Sequence, residues 1–230
     1  MLDDAVDSWT AERPALETPI EALHFVALDC ETTGQSPHHL VELGAVAFTM
    51  GDHLMSFETL VHSNDRINPY ARRIHGIDAA ALNGAPPVSL VVERFQRFAK
   101  GAVLVEHSAD AFDTRLIGRA IGSSLDADNV DTTRLAAKLF DLKDTIGLER
   151  LCRELGVVHR RPHHALADAE ATAACFVELV QRGSERFNWS TLGDLLAAGK
   201  PPAFAADVGV APPNTAAKRA DSGSRTRRRH

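Results

Sequence analysis

The sequence predicts an α/β layered domain, and the order of its elements carries that expectation. Three β-prone runs come first, between residues 24 and 61. Helical stripes interleaved with short apolar runs follow from residue 90 onward. Strands followed by such a mixture favour helices packed on a sheet over an all-helical or all-β fold. A chain of 230 residues is long enough for one sizeable domain with flanking segments.

Residues 24–29 (HFVALD) form an apolar run that stops at charged and small residues, as a buried strand does. A Thr-Thr-Gly turn leads to residues 40–48 (LVELGAVAF), which are β-prone and almost wholly apolar. Gly51 and Asp52 separate this run from residues 53–61, where Leu54, Ser56, Glu58 and Leu60 alternate with Met55, Phe57, Thr59 and Val61. The two runs read as a hairpin. Residues 69–82 look helical with breaks, and 83–87 form a loop. Leu90, Val91, Arg94, Phe95 and Phe98 then make a helical stripe that ends at Gly101. A short strand at 102–105 precedes a helix at 113–121. Further helices fit 132–140, 148–155 with Gly156 as the stop, and 165–181.

Composition narrows the class without naming a function. No apolar stretch is long enough to span a bilayer, and the first twenty residues are acidic without a signal core, so no membrane association and a cytoplasmic location are expected. Cys30, Cys152 and Cys175 are scattered and odd in number, which fits a reducing compartment and argues against both a disulfide framework and a cysteine zinc site. The chain carries a net charge of −6. Its end, from Lys218 onward, carries six basic residues against Asp221, leaving −11 on the rest. A body that acidic offers phosphate backbones no general attraction, so cations held by carboxylates must invert the field locally if it acts on nucleic acid. Residues 1–20 read as an extension, 21–182 as the main domain, 183–198 as a terminal helix or docking segment, and 199–230 as a disordered basic tail. In the third of these, Phe187, Trp189, Leu192, Leu195 and Leu196 are apolar anchors, suited either to a partner or to the domain itself.

Four local patterns carry the chemistry. Asp29 and Glu31, two apart at a strand end, point to one face and can share a metal. Acids ending a buried strand are costly unless paired or metal-bound. Thr32, Thr33 and Gly34 follow as a tight turn whose N–H groups can hold a strand terminus. His107, Ser108 and Asp113 lie after the strand at 102–105, with Asp113 opening a helix, where the dipole favours a carboxylate. His163 precedes the last long helix, and Asp168 falls in its first turn. A histidine there, with a near-neutral pKa, suits a general base. Singly, each has an ordinary explanation as a cap, turn or solvated acid. Together they offer hard oxygen ligands that suit Mg²⁺ or Mn²⁺ rather than zinc. Two such ions ~4 Å apart can activate water and stabilise the leaving oxygen of a phosphodiester.

With these residues on one line, the sequence resembles the DEDDh, or DnaQ-like, 3′→5′ exonucleases, and most closely the branch of the DNA polymerase III epsilon subunit. The matching stretches are Phe25-Val-Ala-Leu-Asp29-Cys-Glu31-Thr-Thr-Gly34, Val41-Glu-Leu-Gly-Ala-Val46, Ile74-His-Gly-Ile77, Val103-Leu-Val-Glu-His107, Asp131-Thr132, Leu148-Glu-Arg-Leu151 and His163-His-Ala-Leu-Ala-Asp168. The resemblance implies a ribonuclease H-like fold with a mixed five-stranded sheet flanked by helices. It implies that Asp29 bridges two metal ions, that Glu31 and Asp168 complete the coordination of one, and that Asp113 supports the other. It assigns His163 as the base, and places Thr32, Thr33 and His75 near the terminal nucleotide; Gly34, His107 and Ser108 are expected at the substrate with them. The family usually writes His-Asn-x-x-Phe-Asp where this chain has His107-Ser-Ala-Asp-Ala-Phe-Asp113, one residue longer and with Ser108 in place of Asn. Asp113 keeps its Phe neighbour and its place before the helix, which favours it over Asp110. The expected activity is release of mononucleotides from single-stranded 3′ ends, DNA favoured over RNA, with a DNA polymerase as a partner. An exoribonuclease and a catalytically weak binding module are the alternatives.

Overall fold

The computed structural model describes residues 12–108 and 110–201. Its sheet has five strands in the order β3-β2-β1-β4-β5. Strands β1 (Phe25–Thr32), β2 (Leu40–Phe48) and β3 (His53–Leu60) form an antiparallel meander. Strands β4 (Val103–Glu106) and β5 (Asn129–Asp131) extend it in parallel from the other side of β1. The mixed sheet follows from the connections: β2 and β3 meet at a tight turn, where Thr49 Oγ1 accepts from the N–H groups of Gly51 and Asp52. Parallel strands need a crossover, which helices supply.

Helices cover both faces. Helix α1 (Pro69–His75) packs by Ala71 against the turn at Gly34, while α2 (Val88–Phe98) and α3 (Phe112–Ile121) lie on one side. There Phe95 and Phe98 of α2 meet Phe57 of β3 at ring separations of 6.3 and 5.5 Å. That contact explains why Phe57 alone of the edge-strand residues is buried while Leu54 stands exposed. The opposite side carries α4 (Thr132–Phe140), α5 (Leu148–Leu155), α6 (Ala165–Phe187) and α7 (Leu192–Gly199). Its core centres on Phe25, Phe48 and Phe176, whose rings lie 4.8–5.8 Å apart. Among the described residues no helix is long and apolar enough to cross a membrane.

Several boundaries differ from expectation for local reasons. The helix expected over 69–82 stops at His75, because Gly76 takes a left-handed conformation with φ of 76°. Beyond it Ile77 and Leu82 pack with Val41 in turns rather than in a helix. Strand β5, only three residues long, is too short to show a periodicity. Helix α6 runs past residue 182 to Phe187, since Gly183 lets the Trp189 ring lie against the helix: a Cβ there would sit 2.0 Å from it. Trp189, Leu192 and Leu195 are buried in the main core, and α7 is held by a reciprocal cap between Thr191 and Asp194. Within the expected extension, Ile20 is buried and Arg13 pairs with Asp128. Residues 1–11 of that extension and 202–230 of the expected tail lie outside the described residues.

Candidate active site

The site is built where β1 ends, and one register pair positions it. Asp29 of β1 stands opposite Gly44 of β2. Helix α6 crosses the sheet at that glycine: a Cβ on Gly44 would lie 2.1 Å from the Leu166 nitrogen. The missing side chain lets the first turn of α6 touch the sheet, and that turn carries Asp168. Glu42, two residues earlier, accepts from the Ala165 N–H at 3.1 Å and pins the same turn. Asp168 thus comes down beside Asp29 and Glu31, and one ligand atom each of Glu31, His163 and Asp168 lies within 4.8 Å of the others.

Asp113 arrives from the other face. Cys30, which points away from Asp29 and Glu31, donates to its carboxylate from both backbone N–H and thiol. Burial, then the charges of Asp29 and Glu106, push the Asp113 carboxyl well up. The extra residue in the preceding loop is absorbed without moving Asp113 off the helix. Ala111 adopts φ of 57°, Asp110 is drawn out to an ion pair with Arg115 at 2.9 Å, and Asp113 stays in the first turn of α3.

The electrostatics of the group are strongly one-sided. Burial raises the Asp29 carboxyl well above the usual carboxylate range, and the charges of Asp168, Glu42 and Glu106 add to it. Burial first, then the charges of Asp29, Asp168 and Glu42, push Glu31 up to about 9. Asp168 is also raised by burial, but His159 and His163 counter this. His159 Nε2 lies 2.5 Å from its Oδ1, and the His163 backbone N–H donates to its Oδ2 at 3.1 Å. His163 itself holds φ of 64°, an uncommon conformation for a side chain of this size, and its ring stays half exposed. A cavity of about 400 Å³ opens here, lined among others by Asp29, Asp168, His159, His163, Arg150 and Arg153.

The residues expected at the substrate divide into two groups. Thr32, Gly34 and His75 form one edge of the site: His75 Nε2 lies 3.2 Å from the Thr32 carbonyl, and Gly34 takes φ of 72° against Ala71. Thr33 is fully buried and exchanges hydrogen bonds with His39, so its side chain serves the turn. His107 lies against the cavity, but its ring is spanned by Thr132 Oγ1 and the Ile146 carbonyl, each at 2.8 Å. Ser108 donates to Glu106 and accepts from the Phe112 N–H. The ring nitrogens of His107 and the hydroxyl of Ser108 are thus engaged within the protein.

Three residues near the site escaped the sequence reading. Glu106, fully buried, accepts from Ser108, Thr114 and Asn129 beside the carboxylates. The same signal that exposed Asp29, an acid ending a buried strand, was available one residue beyond 105. His159 grips Asp168 from nine residues upstream, a spacing with no motif. His164 stands between Glu58, 3.3 Å away, and Glu42, and ties the β2–β3 edge to α6.

Fold and site together define a class: a ribonuclease H-like α/β domain with an acidic cleft at the end of its central strand. The chain belongs to the exonuclease family whose model, RNase T, matches residues 26–176, and within it to the DEDDh, DnaQ-like type. It is 36% identical over 179 residues to the DNA polymerase III subunit epsilon-like protein of Rhodobacter capsulatus, covering 74% of this chain and 25% of that protein. It is 32% identical over 190 residues to the PolC-type DNA polymerase III of Caldanaerobacter subterraneus, covering 80% of this chain and 13% of that one. The chain thus spans a quarter or less of the length of these relatives. Among solved structures, exonuclease X in complex with 5′ overhanging duplex DNA superposes with a TM-score of 0.61 at 24% identity, over 76% of this chain and 99% of that one. The nuclease domain of 3′hExo, a DEDDh member bound to rAMP, gives 0.61 at 17% identity, over 70% and 94%. Both likenesses are of fold.

Proposed function

We propose that this chain is a metal-dependent 3′→5′ exonuclease that releases mononucleotides from single-stranded ends, DNA in preference to RNA, in proofreading or repair. The observation that carries the reading is the grouping of Asp29, Glu31, Asp113 and Asp168, whose carboxyls burial pushes upward, with neighbouring carboxylates adding to the rise at the first three. A partly buried set of hard oxygen donors with that electrostatics fits a divalent cation, which reverses the sign of the local field. These four residues would hold two Mg²⁺ or Mn²⁺ ions. When bound, the ions neutralise the phosphate and favour ionisation of the attacking water.

The chain's own groups do the rest. The Thr32–Gly34 turn and His75 receive the terminal nucleotide and set its phosphodiester over the carboxylates. The half-exposed His163 ring takes the proton of the attacking water on a ring nitrogen and hands it to solvent. His159 and the His163 N–H hold both Asp168 oxygens, so that carboxylate keeps one orientation. The relatives named for DNA polymerase III support DNA as the strand, a DNA polymerase as the partner class, and the cytoplasm as the setting.

Matched 3′- and 5′-labelled single-stranded DNA and RNA oligomers, with Mg²⁺, Mn²⁺ or EDTA, test this. The expected result is a stepwise ladder from the 5′ label, early release of the 3′ label, silence in EDTA, and faster loss of DNA. Asp29→Ala combined with Glu31→Ala abolishes the ladder. Trimming that survives the double substitution overturns the site; faster loss of RNA overturns the DNA preference.

A further inference from the structure

Beside the carboxylates, α1 presents a surface that the account above leaves unused. We propose that Tyr70 and Arg73 form a platform for the nucleotides immediately upstream of the terminal one, the tyrosine ring stacking on a base and the guanidinium holding a phosphate. The proposal rests on the exonuclease reading and adds the path of the strand.

Position is the first support. Helix α1 is bound to the turn that borders the site: the Asn68 N–H donates to the Thr33 carbonyl at 2.8 Å, His75 meets the Thr32 carbonyl, and Ala71 fills the space left by Gly34. Ala71 and His75, four apart, therefore define the face of α1 turned to the site. Tyr70 and Ile74 flank that face, roughly 100° round the helix, while Arg73 starts from its far side and brings its guanidinium back to the Tyr70 ring. Tyr70 is 65% exposed and Ile74 38%.

Chemistry is the second. Tyr70 is the chain's one tyrosine, and among the described residues it is the only aromatic in the exposed apolar set. Among the described residues, the phenylalanine rings and Trp189 are drawn into or against the cores. Arg73 places its guanidinium 5.8 Å from the Tyr70 ring centre, so cation and ring face solvent as a unit. Residues 66–75 hold Arg66, Arg72 and Arg73 and no acid, in a chain whose net charge is −6. Arg72 is engaged with Asp78 at 3.1 Å, while Gln35 of the site turn bonds the Arg66 carbonyl.

Necessity is the third. The carboxylate cleft and the acidic body repel the phosphates upstream of the reacting one, so grip on a strand must come from a cationic element beside the cleft. Aromatic stacking with an adjacent cation is the sequence-tolerant way to hold single-stranded bases, whichever base comes next.

The test compares two substrates: the p-nitrophenyl ester of thymidine 5′-monophosphate, which has no upstream strand, and a single-stranded DNA oligomer of about ten nucleotides. For Tyr70→Ala, the ratio of kcat/KM on the oligomer to that on the ester falls about tenfold, and Arg73→Gln lowers it in the same direction. Tyr70→Phe keeps the wild-type ratio, because the ring and not the hydroxyl does the stacking. A ratio within about twofold of wild type in Tyr70→Ala overturns the platform, as does an equal loss on both substrates. Wild-type protein inactive on both substrates sinks the exonuclease reading instead. Fluorescence anisotropy of the labelled oligomer on metal-free protein then judges the platform alone: weaker binding by Tyr70→Ala supports it, and equal binding overturns it.

Discussion

At Glu31 folding and chemistry pull in opposite directions. Burial first, then Asp29, Asp168 and Glu42, push its carboxyl up to about 9, against an unfolded value of about 4.3. An acid raised in this way binds more protons folded than unfolded. Its metal-free contribution to stability is therefore intact below the unfolded value and lost as pH climbs toward about 9. Glu31→Gln removes the charge and keeps the shape, so the metal-free melting midpoint near pH ~8 rises, by about 2–4 °C for each kcal/mol relieved. The same substitution depresses nuclease activity. Melting curves in EDTA at mildly acidic and mildly basic pH check this; a midpoint unchanged or lowered at the basic end contradicts it.

Among the elements, the first turn of α6 matters most, since it delivers both Asp168 and the loop bearing His163. Its approach depends on Gly44, where a methyl group would meet the backbone of Ala165 and Leu166 at 2.1–2.5 Å. Backbone is a rigid obstacle, so Gly44→Ala must lift the helix from the sheet. The expected cost is at least about 1–3 kcal/mol of stability, read from the denaturant midpoint. Because the shift falls on the turn carrying Asp168, kcat/KM drops by ~100-fold or more even under conditions where the protein is fully folded. A folded Gly44→Ala protein with wild-type kcat/KM would show that α6 is positioned by something else. Gly183 plays the parallel role at the far end of α6, where it receives the Trp189 ring.

For the molecule as a whole, the segment after α6 belongs to the core. Trp189 is 5% exposed, Leu192 and Leu195 are fully buried, and the Trp189 carbonyl accepts from Ser184 Oγ at 2.6 Å. The Pro19–Thr191 bridge and the bond from the Ile20 N–H to the Ser190 carbonyl tie this segment to the start of the described chain. Trp189→Ala accordingly destabilises the domain by about 3–5 kcal/mol, and cleavage of oligomers at low temperature survives, because the carboxylates sit at the opposite end of α6. Thermal denaturation alongside a cleavage assay decides: a midpoint within about 1 °C of wild type would mean that the ring contributes little to the core.

The sequence by itself determined what depends on neighbours along the chain. Strand β2, helices α4 and α5, and the placing of Asp113 and Asp168 in the first turns of their helices were legible, because periodicity, caps and motif spacing are local properties. Even the longer loop before Asp113 could be read, since the Phe-Asp pair marks the helix start whatever precedes it. Tertiary structure alone decided what depends on contacts between distant segments. Nothing local marks β5, which is a strand only because β4 lies beside it. His159 gains meaning only once its ring meets Asp168, and the partners of His107 and Ser108, which are Thr132, Ile146 and Glu106, come from distant segments or from the fold of the strand end. The deepest such decision is at Gly44, which in sequence is one small residue in a strand. In space it is the register partner of Asp29 and the gap through which α6 reaches the sheet, because close approach of two backbones is a property of the packed chain and of no segment within it.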